Sequence, residues 1–122
     1  MILINKEKSS RSIGIRGEDL AYDYLKKKNY SIVDRNYRYK RAEIDLISEG
    51  EGLLIFIEVK LRENNHFGFP EEFLSEGQAE RIQMAAIKYV DEVQWTGQIR
   101  FDIVSIEGQD GHNKITHFKD AF

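Results

Sequence analysis

The chain has 122 residues, 41% of them hydrophobic and 32% charged, with 1 proline and no cysteine. A length of this order suits one domain with a core of its own. The composition excludes collagen-like and proline-rich disordered classes, and the lack of cysteine excludes disulfides, thiolate nucleophiles and cysteine-ligated zinc or iron–sulfur centres. The net charge of −3 is unevenly spread: residues 1–41 carry 11 Lys and Arg against 5 Asp and Glu, and the excess of acids lies in the remainder.

Residues 1–11 hold too few apolar side chains for a signal-peptide core and are set aside as a candidate disordered N-terminal tail. The longest uninterrupted apolar run is Leu53–Ile57, far short of the ~18 residues that a membrane span needs. A cytoplasmic protein without a membrane partner is expected.

Ser12 reads as an N-cap and Gly14–Lys28 as an amphipathic helix, with Gly17, Leu20, Ala21, Tyr24 and Leu25 on one face. Asn29 suits the left-handed residue that ends such a helix. A first strand over Tyr30–Asn36 centres on Ile32 and Val33. Glu43–Ser48 and Leu53–Lys60 form a second and third strand, joined as a hairpin through the Gly-rich Glu49–Gly52. In the third strand Leu53, Ile55, Ile57 and Val59 point one way, and Leu54 and Phe56 the other. A strand apolar on both faces belongs in the middle of a sheet covered on both sides.

A loop over Asn64–Pro70 leads to a second helix, from Glu71 or Ser75 to Val93, with Ala79, Ile82, Ala86, Tyr89 or Val90, and Val93 on its buried face. Trp95 reads as a packing residue at its end. Ile99–Ile106 and Lys114–Phe118 are two further strands, turned through Glu107–Asn113. The order α-β-β-β-α-β-β gives a layered α/β domain with a mixed sheet between helices.

Chemistry concentrates where the second and third strands meet. Glu58 and Lys60 share a face with Leu54 and Phe56, and a buried carboxylate is unfavourable unless paired or metal-bound. If Ser48 pairs with Leu53 across a four-residue turn, Glu43 opposes Glu58 and Asp45 opposes Phe56. Asp45 and Glu58 are then diagonal neighbours on one face, and a divalent cation between them relieves their repulsion. Lys60 is in reach of a water or phosphate oxygen there. Glu18, about 20° from Leu25 around the helix, sits at the margin of the apolar stripe and can lean toward the strands.

Lys26, Lys27, Lys28, Arg35, Arg38, Lys40 and Arg41, interleaved with Tyr30, Tyr37 and Tyr39, form a candidate nucleic-acid-binding segment in which the tyrosines can stack on bases. A solvated helix end followed by an edge strand explains the same residues equally well. The G-x-x-G at Gly14–Gly17 and the scattered His66, His112 and His117 match RNA-binding or zinc motifs too weakly to use.

Gly17-Glu18, Arg35-Asn36-Tyr37, Glu43-Ile44-Asp45, Glu58-Val59-Lys60 and Arg100-Phe101-Asp102 together resemble the YraN family of small bacterial proteins, which is similar to the PD-(D/E)XK nucleases, with their restriction-endonuclease and Holliday-junction-resolvase fold. The resemblance runs from about Gly14 to Ile106. It implies the α-β-β-β-α-β core of that fold, a Mg2+ or Mn2+ held by Asp45 and Glu58 with the Val59 carbonyl, and Lys60 positioning or activating the attacking water. Glu18 takes the part of a helix-one glutamate directed to the metal or its water. The implied partner is nucleic acid, DNA before RNA, with Arg62 and Gln78 added to the contacts and a symmetric homodimer as the expected assembly. This chain departs from the family pattern at Ala42, where glycine is expected, and at Gln78, where many members carry lysine. A nucleic-acid-binding or partner-binding module without catalysis is the alternative that these departures favour.

Overall fold

The structure, a computed structural model, describes residues 6–62, 74–109 and 112–122. The elements run α1 (Lys6–Lys27), β1 (Ser31–Tyr39), β2 (Ala42–Gly50), β3 (Leu53–Arg62), α2 (Glu76–Val93), β4 (Ile99–Gln109) and β5 (His112–Phe118). The strands make one five-stranded sheet in the order β1-β2-β3-β4-β5, with β3 and β4 parallel and every other neighbouring pair antiparallel. The parallel step is where a helix must cross over, and α2 is that crossover. The expected element order and mixed sheet are therefore present, and the expected loop over Asn64–Pro70 lies outside the described residues.

Each face of β3 fills a separate core. Leu54 and Phe56 pack with Ile44, Ile47, Ile82, Ala85, Ala86 and Tyr89 beneath α2. Ile55 and Ile57 pack with Ala21, Leu25, Leu46, Val104 and Ile106 beneath α1. The amphipathic face read for α1 is the buried one.

Several boundaries differ from expectation. Helix α1 begins at Lys6, so residues 6–11, set aside as tail, are helical and Ser12 lies inside the helix instead of capping it. Lysine, glutamate and arginine propagate a helix readily once its packed turns have nucleated it. Asn29 does end α1, with φ 70. In β1, Val33 falls at a register shift between Ile32 and Asp34 and is 44% exposed, because a bulge residue leaves the ladder. Helix α2 takes the later of its two starts, with Ser75 accepting the Gln78 N–H as N-cap. Val93 is 48% exposed: the chain reverses at left-handed Gln94 and it is Trp95 that returns to the core.

The β2–β3 connection also corrects the expected register. Gly50 pairs with Leu53, leaving a turn of Glu51 and Gly52 at φ 56 and 77. Two positive φ values in succession make the primed turn whose twist matches a hairpin. Gly50 admits no side chain, since an added Cβ would lie 2.0 Å from the Tyr30 ring. The tighter turn moves every pair by two residues, which keeps each side chain on its face but exchanges its partner.

Candidate metal centre

Pairing between β2 and β3 stops at Leu46–Ile57, while β2 stays with β1 as far as Tyr39–Ala42 and β3 stays with β4 as far as Arg62–Glu107. The sheet thus parts into two lips. The cause is local: Asp45 Oδ2 accepts the Val59 N–H at 2.8 Å, taking a donor that a regular ladder would give to a backbone carbonyl. Strand β2 also changes face here, since Ile44 packs under α2 and Leu46 under α1. Across from Asp45 in β1 stands Asn36, in the left-handed conformation at φ 54.

Four carboxylates converge at the parting. Counting on from the last pairs, Asp45 faces Glu58 directly, which replaces the diagonal relation expected from the longer turn. Glu58 is only 7% exposed. Its Oε2 lies 3.3 Å from Lys60 Nζ and accepts from the Gln78 side chain of α2 at 3.2 Å. Glu18 reaches in from α1, which comes close to β3 where Gly17 lies against Leu61. Oxygens of Glu18, Glu43 and Asp45 lie within 4.8 Å of one another. Glu43 is held from the other side by Arg38 Nε at 2.7 Å.

The electrostatics follow from that crowding. Burial pushes the Asp45 carboxyl up from 3.8 to about 8, with the neighbouring Glu58 and Glu18 raising it and the Val59 N–H lowering it. Glu18 is also raised, first by burial and then by Glu43, against a hydrogen bond to the Asn36 side chain that lowers it. The donor set is carboxylate oxygen, suited to a hard divalent cation, with no sulfur or imidazole among the groups just named.

Residues 17–106 match the uncharacterised protein family UPF0102. This chain belongs to that family. The UPF0102 proteins of Christiangramia forsetii and Syntrophomonas wolfei are each 40% identical to it, over 110 and 114 residues that cover 90% and 93% of this chain and 92% and 99% of theirs. The UPF0102 protein of Cytophaga hutchinsonii is 43% identical over 97 residues, 80% of this chain and 86% of its own. UPF0102 and the YraN family are one, so the resemblance drawn from the five short motifs holds.

In this UPF0102 chain Asp45, Glu58, Lys60 and Glu18 come together as the pattern implies, and Gln78 joins them through Glu58. Two further groups belong to the cluster. Both stand in motifs that carry the resemblance, Glu43 in Glu43-Ile44-Asp45 and Asn36 in Arg35-Asn36-Tyr37, but no site role was read for either.

The basic segment is not one continuous face. Strand β1 travels the length of the sheet and separates its two halves. Lys28 and Asn29 line a recess with Glu51, His117 and Lys119 at the β2–β3 turn, and Lys26 lies 5.3 Å over Tyr22 on the same end of α1; Lys27 ends that helix, exposed. Arg35 pairs with Asp19 at 2.8 Å. Lys40 and Arg41 form the β1–β2 turn at the acid-bearing end, close to Arg38, and Arg62 closes β3 opposite Glu107.

Arg100-Phe101-Asp102 serves a different purpose. Asp102 is fully buried and accepts from Arg100 Nε and Nη2 at 2.8 Å each and from the Asp120 N–H at 3.0 Å, with His117 Nε2 at 2.7 Å. Burial alone would raise its pKa, but His117, Arg100 and the Asp120 amide outweigh it and hold the carboxyl low. Arg100 also bridges to Glu51 of the hairpin turn at 2.8 Å, tying β4 to the β2–β3 connection. Among the described residues no helix is long and apolar enough to cross a membrane.

Proposed function

We propose that this chain is a phosphodiesterase acting on nucleic acid, DNA first, with Mg2+ or Mn2+ held by Asp45 and Glu58. The observation that supports it most is the convergence of Glu18, Glu43 and Asp45 oxygens beside buried, Lys60-bridged Glu58 at the point where the sheet parts. Evolution of so many anions in one place is unfavourable for the apo fold, and a hard cation is what makes it favourable. When bound, such an ion polarises a phosphodiester and acidifies water.

The chain's own residues do the rest. Lys60, flexible and partly exposed, donates from Nζ to a non-bridging phosphate oxygen or to the attacking water. Glu18, raised by burial and held by Asn36, accepts the proton that the water loses as its oxygen joins phosphorus, an assignment suited to an acid with an elevated pKa. The sugar oxygen leaves opposite the incoming water and takes a proton from solvent. Gln78 steadies Glu58.

Purified protein is expected to cleave single-stranded, branched or duplex DNA with Mn2+, and Asp45→Asn and Lys60→Ala to lower the rate at least a hundredfold, on the scale of losing an acid–base or charge-stabilising group. Equal cleavage by wild type and Asp45→Asn overturns the reading. A second reading is a binding module without catalysis: Gln78 stands where a phosphate-binding lysine is expected and spends its amide on Glu58. Salt-dependent DNA binding without cleavage in any divalent metal selects it.

A further inference from the structure

Next to the carboxylates, on the α2 side, lies a recess that the cleavage chemistry does not use. Tyr39, Lys40, Arg41 and Ala42 of the β1–β2 turn and Arg81 and Met84 of α2 enclose about 230 Å³. Tyr39, Ala42 and Met84 give it an apolar lining, and Lys40, Arg41 and Arg81 bring three cations to it. No carboxylate lines it. That is the reverse of the acid cluster alongside, in a chain of net charge −3.

Three details make this more than a surface dent. Met84 is 57% exposed and Ile87, one turn on, is 66% exposed, so this side of α2 leaves two long apolar side chains uncovered. Lys40 takes the left-handed backbone of the two-residue β1–β2 turn, at φ 55, and its Nζ lies 5.3 Å from the centre of the Tyr39 ring. Position is the third. Ala42 is three residues before Asp45 along β2, roughly 10 Å, and Arg81 is one turn beyond Gln78, which bonds Glu58. The recess is therefore about three nucleotides of stacked strand from the carboxylates, at 3.4 Å per nucleotide.

An apolar, aromatic-walled slot with a cationic rim is complementary to a flat heterocycle flanked by two phosphates. We propose that it receives one unpaired nucleobase of the bound strand, against Tyr39 and Met84, with Lys40, Arg41 and Arg81 on the neighbouring phosphates. A base inside a duplex cannot enter without leaving its stack. The recess therefore directs this chain to single strands, flaps and junctions over intact duplex. In calling that strand a substrate the inference rests on the reading above, but the base preference is measurable without cleavage.

The test uses the full chain in Ca2+, with fluorescein-labelled DNA as a single strand and as a blunt duplex of the same sequence, followed by anisotropy. Single strand is expected to bind more tightly. Met84→Glu, which places an anion in the slot, and Arg41→Gln are expected to weaken single-strand binding roughly tenfold, in line with the loss of one stacked base, and duplex binding much less. Both positions are exposed, so the fold tolerates both changes; Lys114→Gln on β5 is the control and leaves binding unchanged. Replacing the bases of the single strand one at a time by an abasic residue should reveal one sensitive position. Equal weakening on both DNAs, or wild-type binding by both variants, overturns the proposal. Absence of cleavage with Mn2+ in wild type overturns the nuclease reading instead and leaves this comparison intact.

Discussion

Asp45 and Asp102 are aspartates of one sheet, the first half-buried and the second fully buried, and they have opposite surroundings. Asp102 has Arg100, His117 and a backbone amide directed at its two oxygens, and its pKa is held low. Asp45 has one backbone amide and three neighbouring carboxylates, and its pKa is driven up. Charge at Asp102 is balanced from within the chain and locks β4, β5 and the hairpin turn together. Asp45 has no cation among its named partners, and on the proposed reading a bound divalent ion balances its charge. A buried acid thus shows by its partners whether it serves the fold or a ligand, and burial alone does not separate the two.

Substitution separates the two aspartates most clearly. Asp102→Ala leaves the Arg100 guanidinium, whose side chain is 13% exposed, with Glu51 alone, and should lower stability by about 3–5 kcal/mol, the usual effect of removing one member of a buried pair. Asp45→Asn removes a repulsion and still accepts from Val59 N–H, so it should raise the apo protein's stability by about 1 kcal/mol. Urea denaturation of both variants decides; a loss at Asp45→Asn would show that its charge is already balanced.

Divalent ions sharpen it next. At a concentration a hundred times its dissociation constant, Mg2+ or Mn2+ should stabilise the wild type by about 2.7 kcal/mol, seen as a rise in Tm. Asp45→Asn should lose most of that rise and Asp102→Asn should keep it. Equal responses in the two variants would place the ion elsewhere.

The pH dependence runs in opposite directions. Because the folded-state pKa of Asp102 is lowered, its contribution is present above the ordinary aspartate range and is lost as pH falls through the folded value. Because that of Asp45 is raised to about 8, its contribution is complete below pH ~4 and is lost as pH rises toward 8. Apo wild type should therefore lose stability between pH 5 and pH 8 relative to Asp45→Asn, and added Mg2+ should narrow the gap. A constant difference across that range would refute the assignment.

The hairpin turn is what the two centres share. Gly52→Ala forces an alanine to φ 77 in the turn that pairs Gly50 with Leu53. It should cost about 1–2 kcal/mol and leave the metal-induced rise in Tm unchanged, provided that the register survives.

Much of this arrangement is legible along the chain because its signals are local. The face of α1 repeats at helical spacing in Gly17, Ala21 and Leu25; β3 shows both of its faces in Leu53–Val59; Ser75 and Asn29 carry the chemistry of helix ends. The pair Asp45 and Glu58 stands out because acids seldom sit in such apolar company. Other features depend on what lies across space. The turn at Glu51–Gly52 is tighter than its Gly-rich neighbourhood suggests, because Gly50 stays in the ladder opposite Leu53, where Tyr30 leaves no space for a side chain. The basic run from Lys26 to Arg41 looks continuous only until β1 carries its two halves to opposite ends of the edge strand.

Local signals set the order of the elements, the two faces of the central strand and the presence of an acidic pair near a lysine, since hydrophobic periodicity and residue type act over a few positions. Only the tertiary structure decided that β2 and β3 part at Asp45, that Glu43 and Asn36 join the cluster, that Asp102 is neutralised while Asp45 is not, and that Tyr39 and Met84 enclose one recess. Those are questions of which side chains meet, and the meeting depends on register, twist and crossover, which distant parts of the chain set together.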